Sequence, residues 1–158
     1  MRFHRRLSAD TRYRRYHAAK GELTTRDLRY LTEVDGHHHV ALVAEVAPPE
    51  LDGVSPLVAD WIGIPAVPEL AGVARIVGDP GRPGEAEIAI VVRDDAHGRG
   101  LGAELIEGVL DRGREEGVRR AVAQVQADNH RALRLFQATG FRQRAGYGPV
   151  VELVRDLA

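Results

Sequence analysis

The chain has no cysteine, which excludes disulfides, thiolate metal sites and a cysteine nucleophile. Lysine is almost missing as well. Lys20 is the only one among 22 basic side chains, so the positive charge is carried by arginine. Net charge is also nearly absent, at −1, which argues against a protein built to hold nucleic acid. No apolar run approaches the ~20 residues of a membrane span. The opening "MRFHRRLSAD" carries positive charge with no apolar stretch after it, so it does not read as a secretion signal, and a cytoplasmic location is expected. There is no internal repeat and no low-complexity segment. What remains is 158 residues, 44% of them apolar. That suits one globular domain over residues 1–158 that closes its own core.

The chain reads in three parts. Residues 8–34 predict two helices. Ser8 and Asp10 are candidate caps for the first. Thr24 or Thr25 caps the second, whose apolar stripe includes Leu23, Leu28 and Leu31. Three strands follow, over 40–46, 71–80 and 86–92. Between the first two lies "APPELDGVSPLVADWIGIPAVPEL", an irregular loop insertion over 48–70 by its prolines and glycines, with Trp61 and Ile62 as anchors to the body. The last part alternates. A helix starts at Leu101 and ends near Gly117, "AVAQVQ" is a strand, Asp128 or Asn129 caps "HRALRLFQATG", and "VVELV" is a final strand. This order predicts an α/β domain with a mixed sheet and helices on both faces.

One stretch stands out. In "AHGRGLG", Gly98, Gly100 and Gly102 sit at every second position between the strand "EIAIVV" and the helix "AELIEGVL". A bare backbone there exposes N–H groups at a helix N-terminus, where the helix dipole adds positive character. That arrangement suits an anion, above all a pyrophosphate. A P-loop is excluded because Gly-Lys-Ser/Thr is missing, and the spacing departs from the dinucleotide fingerprint. A tight turn whose glycines serve packing fits equally well on the turn alone.

A second segment changes the balance. "HGRGLGAELI" is followed about thirty residues on by "ADNHRALRLFQATGF". The pair resembles the GNAT superfamily of acyl-CoA-dependent N-acetyltransferases, whose pyrophosphate loop reads Gln/Arg-x-x-Gly-x-Gly/Ala. The family's second segment is matched by Asn129, Ala132, Leu135, Phe136, Gly140 and Phe141. The helical region from "DTRYRRY", the strand "HVALVAE" and "GVAR" at 72–75 look more narrowly like bacterial protein lysine acetyltransferases of the Pat type. The resemblance implies a mostly antiparallel mixed sheet. It implies acetyl-CoA as co-substrate, with its pyrophosphate on the amides of Gly98, Arg99, Gly100, Leu101, Gly102 and Ala103. The pantetheine arm would pair with the backbone of Ile90, Val91 and Val92, and Asn129 would flank the thioester end. His97 stands where Gln or Arg is usual, and its ring is a candidate pH-dependent phosphate contact. Phe136 stands where a tyrosine often protonates the leaving thiolate, so that proton comes from elsewhere, water or Tyr147 being candidates. The family's first edge strand has no obvious counterpart in "MRFHRRL". An uncovered neighbouring strand invites pairing with a second copy, so a homodimer is one expectation.

Acetyl transfer requires a neutral amine, and a lysine-like amine is mostly protonated at neutral pH. A carboxylate can take the proton directly or through water. "GEAEIAIVV" offers Glu85 and Glu87, which alternation places on one face with Ala89 and Val91. Glu87 holds the position of the glutamate that serves as general base in the resembling lysine acetyltransferases. Its bland alternative is an ion pair with an arginine such as Arg75. Glu85, nearer the turn, is expected in solvent.

Other features have plain readings. His37, His38 and His39 alternate faces and lack supporting ligands, so no metal is expected. Arg12, Arg14 and Arg15 read as a solvated helix face, with an acidic substrate or CoA phosphate as the functional alternative. Tyr13, Tyr16 and Tyr30 fit core packing or an acceptor pocket. Two functions follow: an acetyl-CoA-dependent N-acetyltransferase acting on a primary amine such as a protein lysine or a small molecule, or a non-catalytic acyl-CoA-binding sensor or regulatory module.

Overall fold

A computed structural model describes residues 2–16, 22–47, 68–144 and 148–157. Three short helices come first: α1 (Arg2–Arg5), α2 (Ala9–Tyr16) and α3 (Thr25–Thr32). The strands β1 (His39–Val46), β2 (Glu69–Gly78) and β3 (Glu85–Val92) follow. Then come α4 (Leu101–Glu115), β4 (Arg120–Gln126), α5 (His130–Ala138), β5 (Arg142–Gln143) and β6 (Val150–Asp156). The loop expected over 48–70 falls almost wholly outside the described residues, with Trp61 and Ile62; so does Tyr147.

The strands form one sheet in the order β1-β2-β3-β4-β6-β5. Only β3 and β4 run parallel; the other neighbours are antiparallel. The mixed, mostly antiparallel sheet expected from the sequence is therefore present. Long α4 covers one face, with Ile106, Val109 and Leu110 fully buried against Ala74, Ile76, Ala86 and Ile88. Close approach is what makes this packing work. A Cβ on Gly72 would meet Leu105 Cδ1 at 2.8 Å, and one on Gly113 would meet Ile76 Cδ1 at 2.9 Å. The opposite face carries Arg75, Glu87 and Ala89, and there α2 and α3 lie. Helices thus cover both faces. Among the described residues, no helix is long and apolar enough to cross a membrane.

Local signals explain the boundaries. Thr24 caps α3 in a reciprocal capping box with Asp27, which satisfies two free N–H groups at once. Gly117, two residues past α4, takes φ +82°, a left-handed conformation that glycine adopts without strain. Asn129, rather than Asp128, caps α5, its side chain accepting from Ala132 N–H at 3.2 Å.

Residues 2–5 form a helix, so no strand precedes β1 among the described residues and the outer edge of β1 has no strand partner there. Arg6, just after α1, pairs with Glu69 on β2. α2 is fastened at its start. The Asp94 carboxylate accepts from Ser8 N–H at 3.0 Å, from the Ser8 hydroxyl at 3.1 Å and from the Thr11 hydroxyl at 2.8 Å. Burial pushes the Asp94 carboxyl upward, but these hydrogen bonds, led by the Ser8 N–H, outweigh it and hold the group below its ordinary value.

Two outcomes test this architecture. Leu110→Ala should lower unfolding free energy by about 2–5 kcal/mol, read from a urea titration. Asp94→Ala should destabilise the domain at pH 6. Because a carboxylate held low in the fold stabilises above its unfolded value and loses that contribution on acidification, the gap between variant and parent should narrow as pH falls below about 3.9.

Candidate active site

The site begins where β3 and β4 separate. β3 pairs with β2 along its whole length, from Gly72 opposite Val92 to Gly78 opposite Ala86. With β4 it shares only Glu85, Ala86 and Glu87, opposite Arg120, Ala121 and Val122. Beyond Glu87 the strands part. Hydrogen bonds from Arg93 N–H to Ala71 O and from Asp79 N–H to Glu85 O show which residues of β3 face β2. In an antiparallel ladder these alternate, so Val91 spends its main-chain groups on Val73. Ile88, Ile90 and Val92 face the gap instead. Of the three residues expected to pair with an extended ligand, Ile90 and Val92 turn toward the gap and Val91 turns toward β2.

The gap leads to the glycine turn. Gly98 and Gly100 take φ +76° and +82°, and Gly100 caps α4. Gly98, Arg99, Gly100, Leu101 and Gly102 form a run of main-chain N–H groups with no acceptor among the described residues. Ala103 N–H, by contrast, is taken by Gly100 O at 2.9 Å. Amides without main-chain acceptors at the start of a fifteen-residue helix are the arrangement that favours an anion. The third glycine has a different reason. A Cβ on Gly102 would lie 2.9 Å from Leu135 Cδ2, so this residue lets α4 and α5 approach.

His97, a candidate phosphate contact by sequence, has both ring nitrogens engaged by the protein. Its Nε2 lies 3.0 Å from Val92 O, and its Nδ1 meets the Arg131 guanidinium. Arginine can only donate, so Nδ1 accepts and Nε2–H donates to the carbonyl. The ring is a brace between β3, the turn and α5.

Two clefts meet at Glu87. The larger, of about 340 Å³, is lined by Arg15, Tyr30, Arg75, Glu87, Ala89, Gln124 and Glu152 among others. The smaller, of about 100 Å³, lies in the gap between β3 and β4 and is lined by Ile88, Ile90, Gln126, Asn129, Ala132 and Phe136. Arg15, Glu87, Ala89 and Gln124 border both. Glu87 is exposed on the strand and forms no ion pair with Arg75. Arg75 is 5% exposed and donates instead to His39 Nε2 at 3.0 Å and Leu31 O at 3.4 Å. Burial lowers the His39 imidazole, and the Arg75 charge lowers it further against the pull of Asp35. Phe136 is buried edge-on against Phe141, with ring centres 5.0 Å apart.

Several expectations change in detail. Glu85 is half-buried rather than solvated, and Arg82 Nη1 donates to it at 2.5 Å. Arg14 bridges Asp10 and Asp128, at 2.7 and 3.1 Å. Arg15 turns into the clefts. Of the histidines, His37 lies 2.9 Å from Glu116 and His39 joins Arg75. Tyr30 lines the larger cleft, while Tyr16 meets His4 at a tilt, with ring centres 5.7 Å apart.

The acetyltransferase (GNAT) family model matches residues 22–141. The chain belongs to the GNAT acetyltransferase family. This GNAT domain is 31% identical over 135 residues to acetyltransferase Pat of Mycolicibacterium smegmatis, covering 85% of the chain and 34% of that protein. It is 34% identical over 58 residues to an L-methionine sulfoximine/L-methionine sulfone acetyltransferase of Pseudomonas aeruginosa, covering 37% of the chain and 34% of that protein. The matched regions thus span about a third of the length of these curated relatives. The crystal structure of the GNAT domain of S. lividans PAT superposes with a TM-score of 0.79 at 25% identity, over 98% of this chain and 81% of that one.

Within this GNAT domain the glycines of the turn separate by mechanism. Gly100→Ala puts a side chain on a left-handed backbone and should cost about 1–2 kcal/mol of stability. Gly102→Ala meets only the end of a flexible leucine and should cost less. Thermal unfolding of the two variants, in the absence of any ligand, checks the order.

Proposed function

We propose that this domain is an N-acetyltransferase that moves an acetyl group from acetyl-CoA to a primary amine by direct attack, with Glu87 as general base. The observation that carries the reading is the position of Glu87, on the border shared by the two clefts. The smaller cleft is bordered by Ile90 and Asn129, and the larger by Tyr30 and Arg75.

Family membership supports acetyl-CoA as the donor. Its pyrophosphate would rest on the amides of residues 98–102, and its extended arm would run along the open edge of β3 at Ile90 and Val92. The thioester would then end near Glu87, with Asn129 and Phe136 forming the far wall. The acceptor enters through the larger cleft. Its ammonium gives a proton to the Glu87 carboxylate, directly or through water. The neutral nitrogen attacks the thioester carbonyl, the new C–N bond forms and the C–S bond breaks. The nitrogen sheds its surplus proton to water as the amide forms, and the departing thiolate takes a proton from water in turn. Phe136 has no proton to give, and a thiol is a fair leaving group without one. Holding both reactants on one sheet face removes much of the entropic barrier to their meeting.

The sequence similarity to Pat supports a protein lysine as acceptor, and that to the methionine sulfoximine acetyltransferase supports a small amine. Both share the attacking amine, so the base test does not depend on the choice. Glu87→Gln should lower kcat by about 10²-fold or more while acetyl-CoA binding stays within about twofold of the parent. Thiol release with a panel of amines and calorimetric titration of acetyl-CoA read the two quantities. Equal rates in parent and variant across pH remove Glu87 from the mechanism. Binding with no thiol release from any amine points to the non-catalytic module instead.

A further inference from the structure

We propose that Arg15 and Arg75 form a carboxylate-binding subsite in the larger cleft, which makes the acceptor an amine that also carries a carboxylate. This deepens, and rests on, the reading of that cleft as the acceptor site.

The charges around the cleft are unevenly paired. Toward its mouth, Asp79 and Glu85 lie 3.3 and 2.5 Å from Arg82, and Glu152 lies 3.0 Å from Arg144. Deeper in, the pattern stops. Among the described residues, neither Arg15 nor Arg75 forms an ion pair with a carboxylate. Arg75 is almost wholly buried, and a buried charge without a counter-charge is costly. Its two hydrogen bonds, to His39 and Leu31, go to neutral acceptors and use two of the five N–H donors of a guanidinium.

The pair is also held in place. The Arg75 guanidinium lies 5.9 Å from the centre of the Tyr30 ring, and Tyr30 in turn lies 5.0 Å from His39. Arg15 sits over Tyr16 at 5.3 Å. Burial, and then the charge of Arg15, hold the Arg75 guanidinium below its ordinary value. Arg15 is lowered by burial too, against the pull of Tyr16, Tyr30 and Glu87. Two like charges that feel one another thus border one cleft, with guanidinium N–H donors left over among the described residues. A planar carboxylate matches that fork and supplies the missing charge. Glu87 borders the same cleft, so an acceptor would place its amine at Glu87 and its carboxylate at the two arginines.

Two sources supply this chemistry: a free amino acid, or a peptide lysine beside an acidic residue. The test compares leucine with leucinamide, and a lysine peptide flanked by glutamate with one flanked by glutamine. Thiol release from acetyl-CoA gives KM and kcat for each. In the parent domain, one carboxylate acceptor should show a KM at least about 10-fold below that of its amide. In Arg15→Gln that ratio should collapse toward one, and Arg75→Lys should retain part of it. A response in the leucine arm assigns a small molecule; one in the peptide arm assigns a protein lysine. Equal KM values for acid and amide in both arms overturn the subsite. Calorimetric binding of the same ligands to parent and Arg15→Gln domains reads the subsite without turnover. Binding that needs the carboxylate, and is lost in Arg15→Gln, upholds it even where no amine is acetylated. Binding indifferent to the carboxylate overturns it.

Discussion

The parting of β3 from β4 after three residue pairs is the constraint from which the rest follows. A sheet interior normally consumes every main-chain donor and acceptor. Here one strand is fully paired on one side and abandoned on the other. The abandoned side turns main-chain groups of Ile90 and Val92 toward the gap, where the Val92 carbonyl is already engaged by His97. The same separation lets Glu87, the last residue paired with β4, stand at the fork. A longer β3–β4 ladder would close the gap that holds the smaller cleft.

The second determinant is where α2 sits. Its first turn is tied to Asp94, in the short turn that follows β3. That tie fixes which of its arginines faces the sheet. Arg14 points to Asp10 and Asp128, and Arg15 points to the clefts. The position of α2 is thus referenced to the same stretch of chain, residues 85–100, which carries Glu87, the open strand edge and the glycine turn in succession.

Much of this is legible in the sequence because it is local. Caps at Thr24 and Asn129, the glycine after α4 and the period-two pattern of β3 act over a few residues. Chain chemistry alone determines them. The glycine turn, too, announces its conformation wherever it is placed. What is not legible depends on distant partners. Three arginines in "RYRRY" are equivalent until a carboxylate nearly eighty residues away orients the helix. His39 is one of three successive histidines until strand register sets it beside Arg75. Val91 differs from its neighbours only through the register of β2 against β3. His97 sits beside the anion seat in sequence, yet its ring is claimed by Val92 and Arg131, neither of which sequence spacing identifies.

The brace at His97 has a thermodynamic corollary. One ring joins the end of the open strand edge to the start of the amide seat and, through Arg131, to α5. Displacing either half disturbs the other through the imidazole. A long molecule lying along both would then experience them as a single receptor. Its two ends, offered as separate fragments, should show binding free energies that are not additive, each fragment stiffening the ground on which the other lands.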